Sequence, residues 1–162
     1  MAQAHADIGV LADLAGAEGL ETYPFRIDSL VVVVPRGHLL AGRRNIAFVD
    51  VLDEEFVGLA AGSALAEHLA WQAARLGRSL KPRVRRRGLD AVCRMAECGV
   101  GIAVVPETTA RRRRLTMALG ALQLIDKWAT RQLIVCVRRL DALPLHARRL
   151  VQHLAGTVPT NA

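Results

Sequence analysis

Aromatic residues are scarce in this chain: they make up 4% of 162 residues, with Trp 2, Tyr 1 and Phe 3. None is interleaved with the basic runs, which argues against stacking on single-stranded nucleic acid. Lysine is nearly absent, Lys81 and Lys127 being the two, so the net charge of +7 is carried almost wholly by arginine. Cysteine is limited to Cys93, Cys98 and Cys136. The odd count and the spacings match no metal-ligand pattern, and buried free thiols in a reducing compartment are expected. His5, His38, His68, His146 and His153 form no His-x-x-x-His or His-Glu-x-x-His pair, so neither a metal nor another cofactor is expected. No apolar run approaches the roughly 20 residues that span a bilayer, so no membrane contact is expected. The opening "MAQAHADIGV" lacks a basic region followed by an apolar one, and a cytoplasmic location is the expectation. No acid–base pair stands out, since Asp53, Glu54 and Glu55 read as a solvated turn.

What the chain does have is 52% hydrophobic residues, enough for one domain or two small lobes. "DIGVLA" (7–12), "SLVVVVP" (29–35), "EEFVGLA" (54–60), "GIAVVP" (101–106), "ALQLID" (121–126) and "RQLIVCVRR" (131–139) are strand candidates, and "PRVRRRG" (82–88) is extended. The second is unbroken and β-branched, as in a strand covered on both faces. Between them, Leu65, Leu69, Ala73 and Leu76 recur at helical spacing from a cap at Ser63 to Gly77. A second helix is expected from a cap at Asp90 to Gly99, and a short one from Pro106-Glu107. Pro144 is placed in the first turn of a last helix, ending at Gly156. Alternating strands and helices predict an α/β protein with largely parallel sheets. The polar "RGHLLAGRRN" (36–45) is a candidate crossover between lobes.

The stretch "ECGVGIAVVPETTARRRR" (97–114) joins a Gly-x-Gly to four arginines. A dinucleotide fingerprint needs a strand feeding a glycine turn that opens a helix. Here a helix ends at Gly99 and a strand begins at Gly101, so the glycines are a helix stop and a tight strand entry. Arg111–Arg114 on a helix would point all round it, as a solvated surface does, with a phosphate-contacting patch as the rival reading. Ser63, in "AAGSALAEH", lacks the second glycine of a nucleophile elbow. It is a helix cap, with the added possibility that its hydroxyl and neighbouring amides hold a ligand's carboxylate.

The order of "ADIGV" (6–10), "LVVVVPRGHLLA" (30–41), "EEFVGLAAGSAL" (54–65), "RGLDAVCRMAECGVGIAVVPE" (87–107) and the closing "LIVCVRR" and "ARRLVQHL" resembles the effector-binding domain of LysR-type transcriptional regulators. Within the second stretch Pro35, His38, Leu40 and Ala41 match the family, with Leu39 where a proline is usual. The resemblance implies an α/β fold of the type II periplasmic-binding-protein kind, here one complete Rossmann-like subdomain plus a partial second one. Residues 1–35 and 131–156 would form the partial first subdomain, 43–125 the complete second, and 157–162 a tail.

It further implies a small-molecule effector held between subdomains, with Leu11, Ala12, Gly62, Ser63, Gly88, Leu89 and Val105 around it. Pro35, Arg36, His38, Asp126 and Arg131 would form the hinge. Transcription would be regulated through an N-terminal winged helix-turn-helix not found in these residues, so DNA contact is expected through that domain alone. The first part of the first subdomain is also not found, which makes "DIGVLA" an expected unpaired edge. A homodimer or higher oligomer built around 7–12 and 29–35 follows from that edge. A solute-binding module without regulatory role is the alternative, and a small-molecule enzyme on this fold lacks an acid–base pair.

Overall fold

The computed structural model describes residues 6–12 and 17–156. The strands are β1 (Ile8–Leu11), β2 (Glu21–Pro35), β3 (Asn45–Ile46), β4 (Val57–Leu59), β5 (Val84–Arg86), β6 (Ala103–Pro106), β7 (Leu119–Leu124) and β8 (Thr130–Val137). The helices are α1 (Ala64–Arg75), α2 (Leu89–Glu97), α3 (Glu107–Arg113) and α4 (Leu145–Ala155). The chain divides into two compact units, one formed by residues up to Asp28 and from Thr130 onward, the other by Ser29–Ala129.

In the second unit the valine run of β2 lies between β6 and β7, antiparallel to both. Val31 faces Val105 and Val33 faces Ala103 on one side, and Val32 faces Leu122 on the other. Alternate residues then enter two separate cores. Leu30, Val32 and Val34 pack with Phe48, Leu69 and Leu122. Val31 and Val33 pack with Val92, Cys93, Ala96 and Leu119. Double-sided burial is the physical reason that the run has no polar alternation. Each fully buried valine side chain contributes about 1.5–3 kcal/mol. β3 runs parallel to β7, and β4 parallel to β5, with a parallel bridge from Phe56 to Ile102.

In the first unit β1 is antiparallel to β8, from Ile8 opposite Val137 to Leu11 opposite Ile134, and β8 also neighbours β2. Val135, Val137 and Val151 of α4 form a smaller core with Ile8, Tyr23, Phe25 and Leu154 against it. Arg131 donates to Asp28 at 2.7 Å, with the two side chains 15% and 5% exposed.

Several expectations are corrected. The sheets are mixed rather than largely parallel, because β2 runs against its neighbours β6 and β7. That strand starts at Glu21, not Ser29; in 21–28 half-buried Tyr23 and Phe25 alternate with exposed residues, which leaves no apolar run to see. The strand expected over 54–60 is confined to Val57–Leu59. Gly88, not Asp90, caps α2, since the turn there has φ 130°, and the Asp90 carboxylate instead meets Arg113 at 2.9 Å. Pro144 precedes α4 rather than entering its first turn. Cys98 is exposed, while Cys93 and Cys136 are buried.

Residues 30–34 are at most 2% exposed, so within the stretch 29–35 only Ser29 and Pro35 are partly exposed. Among the described residues β1 has a strand on one side alone, and its Val10 is 50% exposed. The expected tail over 157–162 lies outside the described residues.

Gly99 does stop α2, with φ 75°. At Gly101 a side chain would collide with the Glu55 carbonyl, because the backbone passes close there beside the bridge at Phe56. The two glycines of the Gly-Val-Gly thus serve a turn and a close approach, as a structural motif requires.

Candidate functional site: the helix N-termini of the second unit

Two parallel strands, each feeding a helix at its C-terminal end, build the candidate site. After β4 the Ala60 amide donates to the Arg86 carbonyl at 2.9 Å, the chain turns at Gly62 with φ 82°, and Ser63 begins α1. The Ser63 hydroxyl accepts from the Ala66 amide at 3.2 Å. After β5 the chain turns at Gly88, whose carbonyl accepts from the Val92 amide at 3.2 Å, and α2 begins at Leu89. Parallel pairing of Val57 with Val84 and Leu59 with Arg86 carries both helix starts to the same strand ends.

Among the described residues the amides of Ala64, Leu65, Leu89, Asp90 and Ala91 find no acceptor. Such amides, with the helix dipole behind them, form a positive pole that suits an anion. Arg85 donates to the Leu59 carbonyl at 3.3 Å, which sets its guanidinium at the end of β4. Arg86 and Arg87 are exposed and meet no carboxylate among the described residues. Asp90 in the first turn of α2 opposes this field, but its charge is engaged by Arg113. On the same helix, burial pushes the Cys93 thiol up from its ordinary value. No group of three or more His, Cys, Asp or Glu side chains among the described residues could hold a metal ion.

Gly62, Ser63, Gly88 and Leu89 are therefore brought together. Val105 is fully buried in β6 and presents no surface. Leu11 and Ala12 lie in the first unit, at the end of β1. Of the hinge candidates, Pro35, Arg36 and His38 lie well inside the second unit: Pro35 pairs with Leu119, the Arg36 amide donates to Ala118, and His38 Nδ1 accepts from Leu40. The chain instead passes between units at Asp28–Ser29 and Ala129–Thr130. Asp126 is tied within the second unit by accepting from the Phe48 amide at 2.8 Å, and Arg131 within the first by Asp28. Arg85 and Arg86 were not singled out from the sequence, although the run in "PRVRRRG" was the available signal.

With this geometry in view, a comparison with family profiles matches residues 1–159 to the LysR substrate binding domain. The chain belongs to this family. Among curated proteins it is similar to the HTH-type transcriptional regulator CysL of Bacillus subtilis (strain 168), 26% identical over 119 residues, which are 74% of this chain and 40% of that protein. The chain thus matches well under half the length of that relative. Among solved structures it is similar to the regulatory domain of CcmR from Synechocystis PCC6803 in complex with 2-PG. That likeness has a TM-score of 0.82 at 21% identity, covering 97% of this chain and 76% of that one. It is also similar to the effector binding domain of QuiR in complex with shikimate, with a TM-score of 0.73 at 18% identity, covering 92% of this chain and 69% of that one. The fold of this LysR-family chain is accordingly the periplasmic-binding-protein-like α/β fold of LysR regulatory domains.

Proposed function

We propose that this LysR-family chain senses a small anionic effector, a carboxylate, at the N-termini of α1 and α2. The observation that carries the reading is the pair of helix starts at the ends of β4 and β5, with free amides and Arg85 between them. The Ser63 hydroxyl and the amides after Gly62 and Gly88 hold the acid, and the chain binds without catalysing. CcmR and QuiR, with their 2-PG and shikimate, support a small-molecule effector of this kind. The effector regulates transcription by binding two arrangements of the domain unequally. Operator recognition belongs to a winged helix-turn-helix outside these residues, in a homo-oligomer within the cytoplasm.

Native mass spectrometry of the purified protein identifies a co-purified acid, and calorimetry then measures its affinity. Ser63→Ala weakens binding 5- to 150-fold, equivalent to about 1–3 kcal/mol for a charge-assisted hydrogen bond. Loss of the cap lowers stability by about 1 kcal/mol. Unchanged affinity for an identified effector would remove Ser63 from the site.

A further inference from the structure

The second unit holds an open pocket of about 210 Å³ at the C-terminal end of α2, the end away from Gly88. His38, Glu54, Glu55 and Arg83 line it, with Val100 and Ile102 in its apolar wall. These residues are distant in the chain. His38 follows β2, Glu54 and Glu55 precede β4, Arg83 precedes β5, and the turn over 99–102 leads into β6. Backbone bonds around Phe56, which is itself buried, bring them together. The Ile102 amide donates to the Glu55 carbonyl at 2.7 Å, the Val57 amide to the Ile102 carbonyl at 2.8 Å, and the Arg83 amide to the Phe56 carbonyl at 2.8 Å.

Opposite charges line this pocket without meeting. Arg83 and Glu55 have no ion-pair partner among the described residues. Glu54 approaches His38 alone, with Oε2 standing 3.7 Å from Nε2, too long for a hydrogen bond. His38 Nδ1 accepts from the Leu40 amide at 3.2 Å, so in the neutral ring Nε2 carries the proton. α2 ends against the pocket at Gly99, and the carbonyls of Glu97, Cys98 and Gly99 meet no donor among the described residues. A helix end of that kind is a negative pole. The two glutamates and the helix end favour a cation, and Arg83 favours an anion.

We propose that this pocket binds a free amino acid as its zwitterion, with the ammonium group at Glu54 and Glu55 and the carboxylate at Arg83. A lone cation leaves Arg83 unmatched. A lone anion is set against two carboxylates and a helix C-terminus. A lysine or acidic side chain of another protein carries one sign and has the same fault. Size points the same way: at roughly 30 Å³ each, about seven waters fill the pocket, which is the scale of a free amino acid. Val100 and Ile102 offer a wall to a small apolar side chain. The proposal is independent of the effector reading, because that site lies at the helix N-termini and shares no residue with this pocket.

The test is an amide NMR titration of the 162-residue chain at constant ionic strength, comparing L-alanine with its two halves, propionate and ethylammonium. L-alanine is expected to shift the amides of Glu55, Gly99, Val100 and Gly101 saturably, with a dissociation constant of roughly 1 mM, and each half to bind at least about tenfold more weakly. Arg83→Gln and Glu55→Gln are each expected to weaken L-alanine binding at least about fivefold, through one charge-assisted bond apiece. Arg44→Gln, a charge change outside the pocket, keeps the wild-type affinity. The rest of each spectrum shows that the variants fold, and the comparison of the three probes stands on the wild type alone. No saturable shift by about 20 mM L-alanine overturns the proposal. Propionate or ethylammonium binding as tightly as L-alanine also overturns it, since the site would then take one sign of charge. So do wild-type affinities in both pocket variants, and so do shifts confined to the Ala64 and Leu89 amides, which would put L-alanine at the helix N-termini instead.

Discussion

The two units of the molecule divide burial and charge differently. The second unit wraps β2 between two cores and carries the entire basic excess of the chain. The first unit is electrically balanced, has the smaller core around Val135, Val137 and Val151, and buries a salt bridge instead. One strand, β2, serves both: its half in the second unit is an unbroken apolar run, and its half in the first alternates. The lesson is that burial on two faces erases periodicity, while burial on one face restores it.

The comparison breaks most visibly at Phe48, which is fully buried in the core that also holds Val32 and Trp128. Phe48→Ala is expected to destabilise by about 3–5 kcal/mol, through lost transfer energy and the cavity left behind. Hydrogen exchange resolves where: amides of β2 from Val31 to Val34, β6 and β7 lose protection more than those of β8. An equal loss in β8 would show that the units unfold as one.

In the first unit the corresponding weak point is polar. Asp28→Ala leaves the Arg131 guanidinium, 15% exposed, without its partner. Removing one member of a buried pair costs about 3 kcal/mol or more. Replacing both, Asp28→Ala with Arg131→Met, is expected to recover most of that loss in a thermal melt. If the single and double variants melt alike, the pair is not what stabilises this unit.

These two residues also mark what the sequence could and could not reveal. The valine run and the stops at Gly77 and Gly99 are visible because they rest on local pattern and on backbone angles that few residues adopt. Ser63 is visible as a cap for the same reason. The bond from the Phe48 amide to Asp126 and the pairing of Asp28 with Arg131 are not visible, because each joins residues far apart in the chain. The parallel-sheet expectation failed on β2, which runs antiparallel to β6 and β7 and whose direction leaves no trace in composition. At the candidate site, glycine and serine punctuate the two helix starts, so Gly62, Ser63 and Gly88 stand out. Arg85 gains its place only from the pairing of β5 with β4.

A smaller effect is expected at Gly99, which has φ 75° with nothing near the position a side chain would take. Gly99→Ala therefore meets backbone strain but no collision, and destabilises by about 1 kcal/mol in urea titration. A loss of effector affinity at unchanged stability would instead give this glycine a functional role.

The smallest expected effect belongs to Glu97, one of the few carboxylates in the basic unit. The Ala118 amide holds its carboxyl below the ordinary glutamate range; Arg94 acts in the same direction, and burial opposes both. A carboxyl with a lowered folded value is more readily ionised in the folded chain than in the unfolded one. Its contribution to stability is complete above the unfolded value of about 4.3 and is lost as pH falls through the folded value. The melting difference between wild type and Glu97→Gln is therefore expected to stay constant from neutral pH down to about 5, then to shrink as pH falls below about 4.3. Carboxyl NMR of Glu97 should give a midpoint below that of a free glutamate, and a midpoint at or above it would remove the Ala118 bond from the account.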